Sequence, residues 1–369
     1  MDAALLTSSD FWKDLAVFAF GKFPGEVPEA DRLSAHVLFE TSGSSGTPKW
    51  VALSKPALLA SAAAVNRHLR VTAGSCWGLA LPVHHVGGFG VCARAFEAGC
   101  QLAVFGKRWD AVAFSGWLHD FQVTHTSLVP TQVHDLVKAG LKAPGSLQAI
   151  VVGGGHLDVA TGQAARDLGW PVLASYGMSE AASQIATQTL DQLGNPYQPA
   201  PIPLLPIWHA DVSPEALLRI SGPALFSGYL ISEKDIWRFI PREHEWQVTS
   251  DRVMLGAGGI TPLGRADTLV KVLGELVDPE SIERELTALS GGRIATGTFA
   301  VIALPDERAG HVLVPVFESL IDRSTVESTL SSYQLSAPGF RRLQAAVFVQ
   351  EIPRSPLGKL LRKELAASL

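Results

Sequence analysis

Between residues 70 and 175 the hydrophobic positions fall in short runs, separated by segments of helix length and mixed polarity. The runs 76–81, 101–105, 124–129, 147–152 and 171–175 read as buried strands, and their alternation with helical stretches predicts a βα-repeating domain with a mostly parallel sheet. Ser54 is a suitable N-cap, with Pro56 in the first turn of a helix running to about Leu69. After Leu190 the pattern changes. Residues 195–214 contain six prolines, too many for regular central strands or helices. Alternation at 216–220 and 246–249 then predicts a β-rich subdomain. A last unit begins near Thr268: a strand at 269–272, a helix at 280–289 opened by Pro279, strands at 298–304 and 312–317, a further helix, a strand at 344–349 and a basic C-terminal segment. The expected fold is α/β, with a large N-terminal domain over 1–265 and a small α+β domain over 266–369.

Composition narrows this only a little. A chain of 369 residues can bury a large core, and 47% hydrophobic with 18% charged residues describes a globular protein rather than a disordered one. The formal net charge of −5 gives no reason to expect a nucleic-acid or acidic-membrane partner. Cys76, Cys92 and Cys100 form no CxxC pair and no zinc-like spacing, so they read as small buried thiols in a reducing compartment. The N-terminal stretch has acids where a signal peptide has bases, and no uncharged run approaches the roughly 18 residues of a membrane span. The expectation is a cytoplasmic protein with no membrane insertion.

Candidate chemistry sits in loops. Thr41, Ser42, Gly43, Ser44, Ser45, Gly46, Thr47, Pro48 and Lys49 lie between apolar strands at 36–39 and 50–53. The glycines let backbone approach a ligand closely, and the hydroxyls and lysine supply donors to phosphate oxygens. This is not the NTPase loop, which needs Gly-Lys-Ser/Thr entering a helix; here Pro48 precedes Lys49. A plain Ser/Gly turn remains an alternative. Ser175-Tyr176-Gly177-Met178-Ser179-Glu180 brings an aromatic, a glycine, a hydroxyl and a carboxylate into one turn after a strand, fit to stack a base, meet a phosphate and bind Mg²⁺. Gly153, Gly154 and Gly155 follow another strand, where open α/β sheets bind ligands. Thr249-Ser250-Asp251, Gly264-Arg265-Ala266-Asp267, Lys271–Glu275 and the Pro/Gly-flanked Lys359 are weaker patterns, each with a bland reading as turn or solvated tail.

Together these segments resemble the adenylate-forming superfamily of acyl-CoA synthetases, peptide-synthetase adenylation domains and luciferases. Its motifs recur in order over nearly the whole chain. The resemblance implies that the 41–49 loop holds the ATP β- and γ-phosphates, and that Gly154 and Gly155 meet adenine while Gly153 meets the acyl group. It puts Tyr176 on the adenine, Gly177 among the ATP-binding residues, Ser179 on the α-phosphate and Mg²⁺ on Glu180; most relatives have threonine where Ser179 stands. Asp251 accepts from the ribose hydroxyls, with Ser250 in place of the usual glycine, and Arg265 also contacts the ribose. Asp267 is the implied hinge of a mobile C-terminal domain. Lys271, Gly274 and Glu275 line the coenzyme A channel, and Lys359 is the catalytic lysine. The implied reaction joins a carboxylate to ATP as an acyl-adenylate and then transfers the acyl group to the CoA thiol.

Three stretches narrow the subfamily: 81–90 followed by Arg94, 127–132, and 176–185. They are similar to the o-succinylbenzoate–CoA ligases of menaquinone biosynthesis. Their substrate has two carboxylates, so the one that does not react needs a cation or several donors. Arg94 is the candidate cation, with Ser127, Thr131, Gln132 and Gln184 as neutral neighbours; an ordinary surface arginine on a helix is the alternative. Of His84 and His85, one lines the acyl pocket and the other is a satisfied core histidine, with His85 carried among the catalytic candidates. Only about forty residues precede the phosphate loop, fewer than in most relatives, so part of the N-terminal subdomain is expected to be missing or compressed, and a homo-oligomer is compatible with it. Other acyl- or aryl-CoA ligases, an enzyme loading a carrier protein, and a non-catalytic binding protein are the alternatives.

Overall fold

The computed structural model describes residues 3–20, 23, 26–42, 48–233, 236–295, 297–355 and 360–369. Gly43, Ser44, Ser45, Gly46, Thr47 and Lys359 therefore lie outside the described residues. The five predicted runs form one sheet, in the spatial order Gln101–Val104, Cys76–Leu79, His125–Leu128, Ala149–Val152, Val172–Tyr176, all parallel. Ala186–Thr187 adds an antiparallel sixth strand. The three strands at 76–79, 125–128 and 149–152 are buried at every residue, which is why they read as unbroken apolar runs. Helices Val86–Ala98, Ala111–Asp120, Pro130–Lys138 and Val159–Asp167 make the crossovers. Helix Lys55–His68 starts as expected, with the Ser54 hydroxyl accepting from the Ala57 N–H.

The β-rich portion departs from expectation. His36–Ser42 and Pro48–Ser54 pair antiparallel, and the second of them pairs in turn with Gly228–Glu233, which makes a hairpin with Ile236–Pro241. One five-stranded sheet thus combines a segment near the N-terminus with one nearly two hundred residues later, and the hairpin at 228–241 was not legible in the pattern. A separate four-stranded sheet holds His209–Val212, Leu217–Ser221, Gln247–Gly256 and Gly259–Arg265.

The N-terminal segment, which carries no clear periodicity, is ordered by aromatic packing. Trp12 stacks on Phe96 at 5.3 Å, and both Phe11 and Trp12 meet Phe89, all against helix Val86–Ala98. The buried Lys55 ammonium donates to the Phe11 and Asp14 carbonyls, each at 2.6 Å, and burial brings its pKa down.

The main apolar core runs from Ala3 to Ile260. A second is built from Val272, Ile282, Leu286, Phe299, Phe317, Val326 and Tyr333. In the latter unit Asp278 caps helix Pro279–Leu289, and strands Phe299–Asp306, Gly310–Glu318 and Val347–Val349 form a sheet beside helix Arg323–Ser336. At the junction, Gly264 has φ 132°, and a Cβ there would stand 2.4 Å from the Asp278 carboxylate, so only glycine fits. Cys76 and Cys92 are buried free thiols and Cys100 is partly exposed; burial pushes the Cys92 thiol up to about 12. Among the described residues no helix is long and apolar enough to cross a membrane.

Candidate active site

The carboxyl ends of adjacent parallel strands release Val129 and the first turn of helix Pro130–Lys138, the loop at 153–155 and the turn at 177–180. Such edges are where open α/β sheets take ligands. Gly177 is dictated by crowding, since a Cβ there would fall 1.6 Å from the Ser183 carbonyl oxygen. Ala182 and Ser183 adopt φ 49° and 95°, left-handed conformations that non-glycine residues hold only under constraint. The turn so formed presents Ser179 and Glu180.

Glu180 meets the other sheet. Its Oε1 accepts from the Tyr229 hydroxyl at 2.9 Å and lies 3.2 Å from Lys49 Nζ, while that ammonium sits 3.9 Å from the Tyr229 ring centroid. Lys49 and Tyr229 stand on neighbouring paired strands, in register as Lys49↔Ile231 and Val51↔Tyr229. Burial and the Glu180 charge push the Tyr229 phenol up, so it stays a donor. Tyr229 went unnoticed in the sequence because nothing near it in the chain marks it; strand pairing alone brings it to Glu180. Among the described residues no three His, Cys, Asp or Glu side chains cluster as a metal cage. A single carboxylate such as Glu180 suits Mg²⁺, which commonly takes one or two carboxylates plus phosphate oxygens and water.

A second constellation links three segments. The Tyr176 hydroxyl donates to Asp251 Oδ2 at 2.5 Å, and Arg265 Nη1 donates to Asp251 Oδ1 at 3.0 Å. Asp251 and Arg265 are direct cross-strand partners. Arg265 also forks onto Asp267, at 2.8 and 2.7 Å, and donates to Ser250 Oγ, which in turn donates to Asp267. Burial and the Asp251 charge push the Tyr176 phenol up, and the Asp267 carboxylate, with Asp251 and Glu280 beyond it, pushes Arg265 further up. The tethered Tyr176 offers a fixed aromatic face. Asp251, with two oxygens and one bond on each, retains acceptor capacity for further hydroxyls.

The third group is buried. Arg94 is only 2% exposed, which excludes the surface alternative. Its Nη1 donates to Ser127 Oγ at 3.2 Å, its Nε has no partner, and among the described residues no carboxylate pairs with it. Burial brings the guanidinium pKa down to about 9, leaving it charged at neutral pH. A Cβ on Gly90 would touch both Arg94 and Ser183, so the arginine head lies beside the 183–184 turn. There Gln184 donates to Thr187 at 2.5 Å while its Oε1 is buried without a partner. His85 Nε2 is likewise buried and unpartnered; burial, then the neighbouring His84, hold its pKa at about 4. A satisfied core histidine describes neither of the pair, because His84 is exposed. That description belongs to His125, fully buried and bonded to Thr124 and the Leu69 carbonyl. Gln132 spends its amide oxygen on the Val129 N–H at 3.0 Å, capping its own helix.

Gly153 and Gly154 follow strand Ala149–Val152; a Cβ on Gly153 would stand 3.0 Å from Ser175 Oγ, and Gly154 has φ 76°. Thr131 lies at the contact with the C-terminal unit, 3.7 Å from where a Gly297 Cβ would be, and the Arg354 guanidinium approaches that same point. Arg354 and Leu360, which bracket the Lys359 segment, pair antiparallel. Lys271, Gly274 and Glu275 are exposed on a separate hairpin, whose tip residues Leu273 and Gly274 both have positive φ.

A tethered aromatic, a carboxylate with spare acceptors and a single carboxylate of the kind that suits Mg²⁺, gathered at the carboxyl edge of a parallel sheet, fit a nucleotide-handling site. Residues 6–230 match the family described as AMP-binding enzyme, and the chain belongs to that family. It is 29% identical over 380 residues to a 2-succinylbenzoate–CoA ligase of Bacillus cereus, with 98% of this chain and 77% of the relative covered. A 2-succinylbenzoate–CoA ligase of Escherichia coli is 31% identical over 281 residues, covering 75% of this chain and 57% of the relative. Among solved structures, o-succinylbenzoate CoA synthetase from Bacillus subtilis in complex with its acyl-adenylate intermediate superposes with a TM-score of 0.73 at 22% identity, over 89% of this chain and 68% of that one. ATP-bound MatB from Rhodopseudomonas palustris gives 0.75 at 24% identity, over 90% and 67%.

Proposed function

We propose that this chain is an ATP-dependent carboxylate–CoA ligase that works through an acyl-adenylate, with o-succinylbenzoate as its acid, in menaquinone biosynthesis. The observation that carries the choice of acid is Arg94: a fully buried guanidinium that no carboxylate of the described chain neutralises. An unpaired buried charge is costly, and an anionic group of the ligand removes that cost. A second carboxylate on the substrate is such a group.

In the first half-reaction two anions meet, and the chief task is to stabilise charge as it moves onto the departing pyrophosphate. Tyr176 and Asp251 hold the nucleoside, the first by its ring and the second through the ribose hydroxyls, with Arg265 steadying Asp251. Lys49 and the preceding loop hold the leaving phosphates. Mg²⁺ at Glu180, when bound, neutralises phosphate charge. Lys359 bridges the attacking carboxylate and the α-phosphate. His85, kept neutral by burial, lines the acyl pocket without adding a charge. In the second half-reaction the CoA thiol attacks the acyl-adenylate carbonyl and AMP leaves. The hairpin bearing Lys271, Gly274 and Glu275 and the segment that contains Lys359 both follow Asp267 in the sequence, so the two steps call for the part beyond Asp267 to turn about a hinge there. The docking of Arg354 near Thr131 supports an arrangement suited to the first step.

The test is ATP–pyrophosphate exchange with and without o-succinylbenzoate, run beside Arg94→Ala. The wild-type chain exchanges only with the acid present, and the variant loses roughly 100-fold or more in kcat/KM, as expected when a buried charge pair loses one partner. Exchange driven equally well by monocarboxylic aryl acids in the wild type would overturn the choice of substrate.

A further inference from the structure

Arg94 faces a problem in the free protein. A guanidinium buried without a counter-ion needs some other source of stabilisation, and a carboxylate in that role would occupy the fork meant for the ligand. The fully buried Trp77, on the neighbouring strand, meets this need: its ring centroid lies 5.2 Å from Arg94 Cζ. A Trp face attracts a cation through its quadrupole, most strongly when both are dry, and consumes no N–H donor. Asn66, on helix Lys55–His68 and 4% exposed, ties the arrangement together. Its amide nitrogen donates to the Arg94 carbonyl at 2.9 Å and to Glu97 Oε2 at 2.6 Å, and its oxygen accepts from the Trp77 indole at 3.2 Å. These partners admit one amide orientation only, since two are acceptors and one is a donor. The ring next to Trp77, His125 at 5.3 Å, is held neutral by burial and brings no competing charge.

We propose that Trp77 and Asn66 are positioning residues that hold the Arg94 guanidinium charged and dry, with N–H donors to spare beside the bond to Ser127, and so set the preference for a dicarboxylic over a monocarboxylic acid. This rests on the reading of function above. Trp77 supplies the charge stabilisation that a carboxylate would otherwise give, and Asn66 fixes the indole and the helical turn bearing Arg94 in one geometry.

The measurement is a ratio of dissociation constants on the full chain by calorimetry: o-succinylbenzoate against 3-benzoylpropionate, which is the same acid without the ring carboxylate. Trp77→Leu lowers the preference for the dicarboxylate roughly 10-fold or more, because without the ring the guanidinium leaves the position in which the second carboxylate meets it. Trp77→Phe, which keeps an aromatic face, recovers most of it. KM for o-succinylbenzoate rises with kcat nearly unchanged, whereas general loosening would weaken both ligands alike. If Trp77→Leu does not fold, Asn66→Ala serves instead, with a loss in the same direction. An unchanged ratio in the folded variants, with Arg94→Ala abolishing the preference, overturns this proposal and leaves the choice of substrate standing. A wild-type ratio near one, or one that Arg94→Ala does not alter, overturns the substrate reading itself.

Discussion

At the scale of single residues, the site depends on polar groups whose partners come from distant segments. Tyr229 shows this most directly. Its hydroxyl donates to Glu180 while its ring faces the Lys49 ammonium. Tyr229→Phe keeps the ring and removes the donor to an ionised acceptor, an interaction worth about 1.5–3 kcal/mol. The expected result is a roughly tenfold or greater fall in ATP–pyrophosphate exchange at limiting Mg²⁺, partly recovered as Mg²⁺ is raised. Exchange that does not depend on Tyr229 at any Mg²⁺ level would remove it from the site. Residues such as Glu180, Asp251 and Arg265 were legible in the sequence through their motifs, but their partners were not. Arg94 was ambiguous for the same reason: a helix pattern places an arginine on a face, and only packing against Trp77 and Ser127 makes that face interior.

Secondary-structure elements were legible where one physical requirement ruled them. The three inner strands of the central sheet, at 76–79, 125–128 and 149–152, are buried at every residue, so their apolar runs stand out against the crossover helices. Helix starts were legible at Ser54 and at Pro279, where a cap and a proline act locally. The hairpin at 228–241 escaped because it is half-exposed, and its apolar face meets Trp50 and Leu38 from a remote part of the chain. The turn at 177–183 belongs to this scale as well. Gly177→Ala drives a methyl into the Ser183 carbonyl, 1.6 Å away. Relief requires the Tyr176–Ser183 backbone to move, so destabilisation of about 2–4 kcal/mol is expected, in the range of severe overpacking. Urea unfolding checks it, and a midpoint equal to wild type would show that the turn is looser than this geometry.

For the whole molecule, buried histidines link stability to pH. Burial holds His85 at about 4, against 6.5 for an ordinary histidine, and burial lowers His125 too. A base whose folded pKa is depressed takes up its proton more readily when unfolded. The stability it allows is therefore full above about pH 6.5 and falls progressively as the pH drops toward 4. For His85 the loss is at most about 3 kcal/mol. Thermal unfolding followed from pH 7.5 to 4 should show this decline, and His85→Gln should flatten it. An equal slope in that variant would assign the acid lability elsewhere.

The order of motifs and the parallel α/β core followed from the sequence alone, because each rests on local pattern: runs of apolar residues, caps, prolines and glycine-rich turns. Strand partnership between His36–Ser42, Pro48–Ser54 and Gly228–Glu233 was decided only by the tertiary structure, as were the burial of Arg94 with no counter-ion among the described residues and the meeting of Tyr176, Asp251 and Arg265. Pattern along a chain encodes which face a side chain prefers. Which remote face it meets depends on how whole elements pack, and no spacing in the sequence carries that.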